Sequence, residues 1–233
     1  MKKSVLFFGR KNCTYTKKIK KKLKSKTNNL TYIEIDPKKK NIDIKRLDKK
    51  YDFILCFRSH YILKKNLIDK AQIAAINFHP GPPQYRGIGS LNFAIFNNSK
   101  FYGSTVHLIN QKIDNGKIID VKYFPINKKI TVKKCLYMTH LKMYQQAKKI
   151  IELIFTKKEY ILKSLKKNKN IKWSNKLYTR KDLEKLYSIN IKKSNEEISR
   201  QIRATYTSIY KPYIKILRER FILSKVKLKN EIK

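Results

Sequence analysis

The sequence predicts an α/β fold: a doubly wound, mostly parallel sheet followed by a small C-terminal α+β appendage. Three observations carry this expectation. Short apolar runs recur at Val5–Phe8, Leu30–Ile35, Tyr51–Phe57 and Ala74–Phe78, with polar or helix-periodic segments between them. A long amphipathic stretch over 132–156 then supplies a helix to cover one face. The 233 residues suffice for one domain of about 100–200 residues plus an extension.

Each element has its own signal. Val5–Phe8 is apolar and stops at Gly9, which reads as a buried strand and a turn. The start is basic and then apolar, but the apolar run is too short for a signal peptide, which needs about 7–15 residues. Residues 14–25 are Lys-rich and suit a surface helix. Leu30–Ile35 alternates and ends at Asp36-Pro37. Lys38–Lys50 is a basic connector with a short helix. Tyr51–Phe57 is the third strand, and Ile62–Ala71 has helical spacing. Ala74–Phe78 is the fourth strand, followed at once by His79-Pro80-Gly81-Pro82-Pro83. Ser90–Phe96 predicts a short helix, and Ser104–Ile109 and Ile118–Phe124 predict two strands. Thr131 caps the long helix, whose stripe is Leu136, His140, Met143, Ala147, Ile150 and Ile154. The Lys/Asn-rich stretch 157–172 reads as a connector and sets a boundary near 160, dividing 1–160 from 161–233. Beyond it, Thr179 with Asp182 and Ser194 with Glu197 predict helix caps. Residues 212–223 predict a strand pair.

Composition excludes several classes. No run of about 18 apolar residues is present, so no membrane helix and no membrane partner is expected. Cys13, Cys56 and Cys135 form no CxxC pair and no even framework, which fits a reducing cytoplasm. The four His and three Cys show no ligand spacing, so no metal is expected. The formal charge is +41, which read naively means nucleic acid. However, 48 of the 57 basic residues are Lys and 9 are Arg, beside 32 Ile, 18 Asn and 6 Ala. That bias is the one an AT-rich genome writes, with Lys wherever the surface tolerates it. Nucleic-acid readers favour Arg for bidentate contacts. Against this background residues 71–99 contain no Lys, Asp or Glu and the single Arg86, so that segment is constrained.

Two stretches carry chemistry. The first is Asn77-Phe78-His79-Pro80-Gly81-Pro82-Pro83-Gln84-Tyr85-Arg86-Gly87, placed after a buried strand where open α/β sheets bind ligands. The second is Gly103-Ser104-Thr105-Val106-His107-Leu108-Ile109-Asn110-Gln111-Lys112-Ile113-Asp114-Asn115-Gly116, a strand feeding a turn with Asp114. Together they resemble the folate-dependent formyltransferase family, with its Asn-x-His motif, Pro-rich turn and downstream Asp-x-Gly. The resemblance covers roughly residues 1–130 and implies a Rossmann-like catalytic domain over 1–160.

What the resemblance implies is transfer of a formyl group from 10-formyltetrahydrofolate, the cosubstrate, to a primary amine. Asn77 and His79 would donate hydrogen bonds to the developing oxyanion, and Asp114 would orient His79 and help move the amine proton. The family's folate pocket maps onto Leu55, Cys56, Phe57 and Arg58 and onto Asn110 and Ile113. Pro82, Tyr85 and Arg86 are the candidate contacts to the acceptor, with Arg200 and Arg203 on one side of a later helix. His107 reads as packed or supporting.

Three acceptor branches compete. Sugar N-formyltransferases look closest, through the His-Pro-x-Pro-Pro turn, Asn92-Phe93-Ala94 and a short α+β tail; this branch implies an amino-sugar nucleotide and a homodimer. Methionyl-tRNA formyltransferases would use the basic charge and take tRNA, but usually carry a larger C-terminal domain. Glycinamide ribonucleotide formyltransferases share the Thr105-Val106-His107 strand. A Lys-rich RNA-binding protein on an inactive scaffold is the non-enzyme alternative.

Overall fold

The apolar runs Val5–Phe8 and Tyr51–Phe57 become strands that bury both faces, and Leu30–Ile35 becomes a half-buried edge strand. In the computed structural model, which describes residues 3–38, 47–157 and 159–224, the chain begins β1 (Val5–Arg10), α1 (Thr14–Lys26), β2 (Leu30–Ile35), β3 (Tyr51–Phe57), α2 (Lys65–Ile68) and β4 (Ala71–His79). It continues through β5 (Arg86–Gly87), α3 (Ser90–Phe96), β6 (Phe101–Leu108), β7 (Ile118–Pro125) and α4 (Val132–Thr156). The remainder is α5 (Tyr160–Lys167), β8 (Leu177–Tyr178), α6 (Arg180–Tyr187), β9 (Ser188–Ile189), α7 (Asn195–Thr205), β10 (Tyr213–Ile216) and β11 (Glu219–Ile222).

The central sheet has six strands in the order β2-β1-β3-β4-β6-β7. The first four run parallel, and β6 and β7 add antiparallel. The fold is therefore a mixed α/β architecture on a mainly parallel sheet. One face packs Ile19 and Leu23 of α1, Met143, Ala147, Ile150 and Ile154 of α4, and Ile161 of α5 against Phe7, Leu55 and Phe78. The other face packs Leu63 and Leu67 against Leu6, Phe8, Ile54 and Cys56. Both faces of β1 and β3 are sealed, which is why they read as continuous apolar runs rather than alternating ones.

Several expectations shift. The strand Val5–Phe8 runs on through Gly9 to Arg10. The helix expected over Ile62–Ala71 is a single turn, because Ala71 is drawn into β4 to pair with Tyr51. The helix expected in the connector Lys38–Lys50 falls largely on 39–46, outside the described residues. The stripe of α4 holds from Met143 onward, but Leu136 is 41% exposed and Cys135 and Thr139 take the buried positions. Polar Thr139 fits there because its hydroxyl donates to the Cys135 carbonyl at 2.7 Å. Within the expected connector 157–172, α5 forms and packs on the core.

Thr131 does cap α4, accepting from the Lys134 amide, and Thr179 with Asp182 makes a full capping box on α6. Ser194 caps α7. β10 and β11 form the expected strand pair, with β9 alongside. The tail is docked on the sheet domain: β8 pairs with β5, Asn92 donates to the Ala204 carbonyl, and Ala204 joins the cluster around Tyr102 and Phe124.

Candidate active site

Strand alternation puts Asn77 and His79 on the same side of β4, two residues apart. The antiparallel register with β6 sets Asn77 opposite His107 and His79 opposite Thr105. After β6 the chain turns back through Asp114, whose φ of 44° lies in the left-handed region. This turn delivers the carboxylate to the strand end.

Four side chains meet there. Asp114 Oδ1 stands 3.3 Å from His79 Nδ1 and 3.7 Å from His107 Nε2. Asp114 Oδ2 accepts from the Gly87 amide at 3.0 Å. His107 Nδ1 lies 2.7 Å from the Leu108 carbonyl and its Nε2 lies 3.1 Å from Asn77 Nδ2. A carbonyl can only accept, so Nδ1 of His107 carries the proton and Nε2 accepts from the Asn77 amide. The second N–H of Asn77 stays available. His79 is 5% exposed and His107 3%. Burial alone would raise the Asp114 carboxyl, but the charge and hydrogen bond of His79, with the His107 imidazole close by, outweigh it and hold it well below the usual carboxylate range.

Two glycines keep this arrangement open. A Cβ on Gly81 would sit 2.7 Å from His79 Nε2, and one on Gly116 would sit 1.7 Å from the Leu108 carbonyl oxygen. The tail completes the wall. Trp173 stands edge-on to His107 and His79, with centroids 5.0 and 5.8 Å away, and donates from Nε1 to the Gly116 carbonyl at 2.8 Å.

The other candidates divide. Arg86 is 9% exposed; it donates to the Ile113 carbonyl at 2.7 Å and the Ser174 carbonyl at 3.2 Å, so it braces the Asp114 turn against the tail. Tyr85 bonds Ser99 and stacks on Tyr178, while its carbonyl faces His79 Nε2 at 3.5 Å. Pro82 and Tyr85 line a cavity of about 540 Å³ with Phe101 and Tyr123, and none of Asn77, His79 or Asp114 reaches it. The side chains of Leu55, Cys56 and Phe57 are core, at 0–3% exposure, which leaves only their backbone for a ligand. Arg58 follows them, half-buried, with a left-handed φ of 54°. Asn110 and Ile113 are exposed on the turn. Arg203 bonds Asn98 and the Ile130 carbonyl, and Arg200 lies over Phe96, so both hold α7 to the sheet domain. His107 and Trp173 take part beyond what the sequence assigned them. The signal for His107 was its place on a strand that pairs with the Asn77 strand; the signal for Trp173 was a sole tryptophan in a Lys/Asn-rich run.

A carboxylate-held imidazole beside an amide, at the end of a parallel strand in an open α/β sheet, can move a proton next to a hydrogen-bond donor. The family model for formyl transferase matches residues 14–147, and the chain belongs to that family. A methionyl-tRNA formyltransferase from Clostridium novyi is 35% identical over 81 residues, which is 34% of this chain. The match spans only 26% of that protein's length. Among solved structures, a sugar N-formyltransferase from Shewanella superposes with a TM-score of 0.72 at 17% identity, covering 96% of this chain and 99% of that one. The N-formyltransferase from Helicobacter canadensis, solved with folinic acid and dTDP-3-aminofucose, gives 0.68 at 22% identity, covering 93% and 85%. Among the described residues, no helix is long and apolar enough to cross a membrane.

Proposed function

We propose that the protein transfers a formyl group from 10-formyltetrahydrofolate to the primary amine of a nucleotide-linked amino sugar, with Asn77, His79 and Asp114 as its catalytic residues. The observation that carries the reading is the contact of His79 Nδ1 with Asp114 at 3.3 Å beside the Asn77 amide. The carboxylate accepts a hydrogen bond from Nδ1–H, so the neutral imidazole carries its lone pair on Nε2, whose 3.5 Å separation from the Tyr85 carbonyl is too long to hold a proton there. The acceptor nitrogen attacks the formyl carbon, forming a C–N bond and an oxyanion. The free N–H of Asn77 donates to that oxyanion. Nε2 of His79 takes the amine proton and returns it to N10 of the folate as the C–N10 bond breaks. The products are the N-formyl amine and tetrahydrofolate.

The sugar branch is supported by coverage. Sugar N-formyltransferase structures match this chain over nearly its whole length, tail included, whereas the methionyl-tRNA formyltransferase matches are confined to 71–81 residues. The second reading, methionyl-tRNA as acceptor, is favoured by those relatives' names and by the +41 charge. We read the protein as a cytoplasmic homodimer. Its three free cysteines fit a reducing compartment, and the exposed Leu217, Phe221 and Ile222 of the β10–β11 hairpin suit a subunit contact.

The site assignment is tested with Asn77→Ala and His79→Ala, assayed for formyl transfer to the accepted amine. Loss of one oxyanion donor or of the base lowers kcat by about 10²–10³. Full activity in both variants would overturn the assignment.

A further inference from the structure

The parallel sheet reverses direction of build at β1: β2 lies on one side of it and β3 on the other. Open α/β sheets bind ligands in the crevice at the carboxyl ends of such strands. Here both strand ends carry arginine. The register sets Gly9 beside Phe57 and Phe57 beside Phe78. The next residues, Arg10, Arg58 and His79, therefore follow one another along the sheet edge at about 4.8 Å per strand. We propose that Arg10 and Arg58 form a binding site for a phosphate or diphosphate group at this edge, one to two strands from His79.

Two guanidinium charges are brought together here. Burial, followed by the charge of Arg58, lowers the pKa of Arg10. Among the described residues no ion pair joins a carboxylate to either guanidinium. Their hydrogen-bond partners are an imidazole and a thiol rather than carboxylates. Arg10 donates to His60 Nε2 at 2.6 Å, and Arg58 donates to Cys13 Sγ at 3.2 Å. Burial and then Arg58 and Arg10 push His140 down to about 3, so it adds no charge. The first turn of α1 holds no acidic residue and its N-cap Cys13 makes no side-chain cap. The first-turn amides of α1 stand beside the arginines, with the Thr16 amide turned toward Cys13 Sγ.

Residue choice separates this cluster from the general surface charge. Only 9 of 57 basic residues are Arg. A chain that writes Lys by default has kept Arg at two adjacent strand ends, where a planar fork of donors matches two phosphate oxygens. The left-handed φ of Arg58 is a backbone strain of the kind found at ligand sites. Under the reading above, the acceptor's diphosphate is the occupant, while the site itself stands on charge and register and is tested without any reaction.

The test is calorimetric titration of the full chain with inorganic pyrophosphate in about 0.15 M KCl, where diffuse attraction is screened. The expected result is saturable one-site binding, weakened at least about tenfold when Arg10→Gln and Arg58→Gln are combined. The combination of Lys148→Gln with Lys149→Gln, on the exposed face of α4, removes the same charge and leaves binding within about twofold. Arg10→Lys with Arg58→Lys keeps charge and bulk, guards against misfolding, and still weakens binding severalfold through loss of the fork. Equal weakening by the glutamine pairs at both places, absence of saturation, or tighter binding of a tri-γ-glutamate peptide than of pyrophosphate would each overturn the proposal.

Discussion

At the scale of single residues the site is a chain of fixed protons. The Leu108 carbonyl sets the tautomer of His107, His107 sets the Asn77 amide, and Asp114 sets His79. His107 acts through Asn77, so His107→Leu should lower kcat by about tenfold, the worth of one hydrogen bond, with KM little changed. A matching rise in KM would mean His107 shapes binding instead. Asp114 gives a pH signature. Its carboxyl is depressed in the folded protein, so its stabilisation is complete above its unfolded pKa near 4 and is lost as pH falls through the lower folded value. The stability difference between wild type and Asp114→Asn should shrink only below about pH 4, as measured by denaturant unfolding. The meeting of Asn77, His79 and Asp114 at one strand end was legible because motif spacing survives in one dimension. The roles of His107 and Arg86 were not: one depends on strand register, the other on which way a guanidinium turns once a tail packs behind it.

At the scale of elements, short apolar runs bounded by polar or turn residues were the easiest to read. Leu30–Ile35, Tyr51–Phe57 and Ser90–Phe96 fall on their predicted bounds. The two-residue β5–β8 pair was invisible, since its partners are about ninety positions apart and too short to show a period. Yet that pair, with Arg86 and the Ser174 amide on the Pro83 carbonyl, clamps the tail over the site. Trp173 is the tail's contact with the imidazoles. Trp173→Ala removes a half-buried hydrogen bond and the wall against His79 and His107. It should lower kcat by about tenfold and reduce stability by about 1–3 kcal/mol. Wild-type turnover in that variant would show the tail to be a bystander.

At the scale of the whole molecule, the sheet places the amide and imidazole at one edge, the two arginines extend that edge, and the tail closes it. The Lys-rich surface surrounds this arrangement without entering it: the four meeting side chains include no lysine. Composition therefore spoke loudest about the part of the protein furthest from its chemistry. The most direct measurement is formyl transfer from 10-formyltetrahydrofolate to a panel of nucleotide-linked amino sugars and to methionyl-tRNA, run side by side at about 0.15 M salt, where nonspecific tRNA binding is weakened. The account predicts N-formylation of an amino-sugar nucleotide and none of the tRNA. Turnover of methionyl-tRNA with every sugar untouched would contradict it.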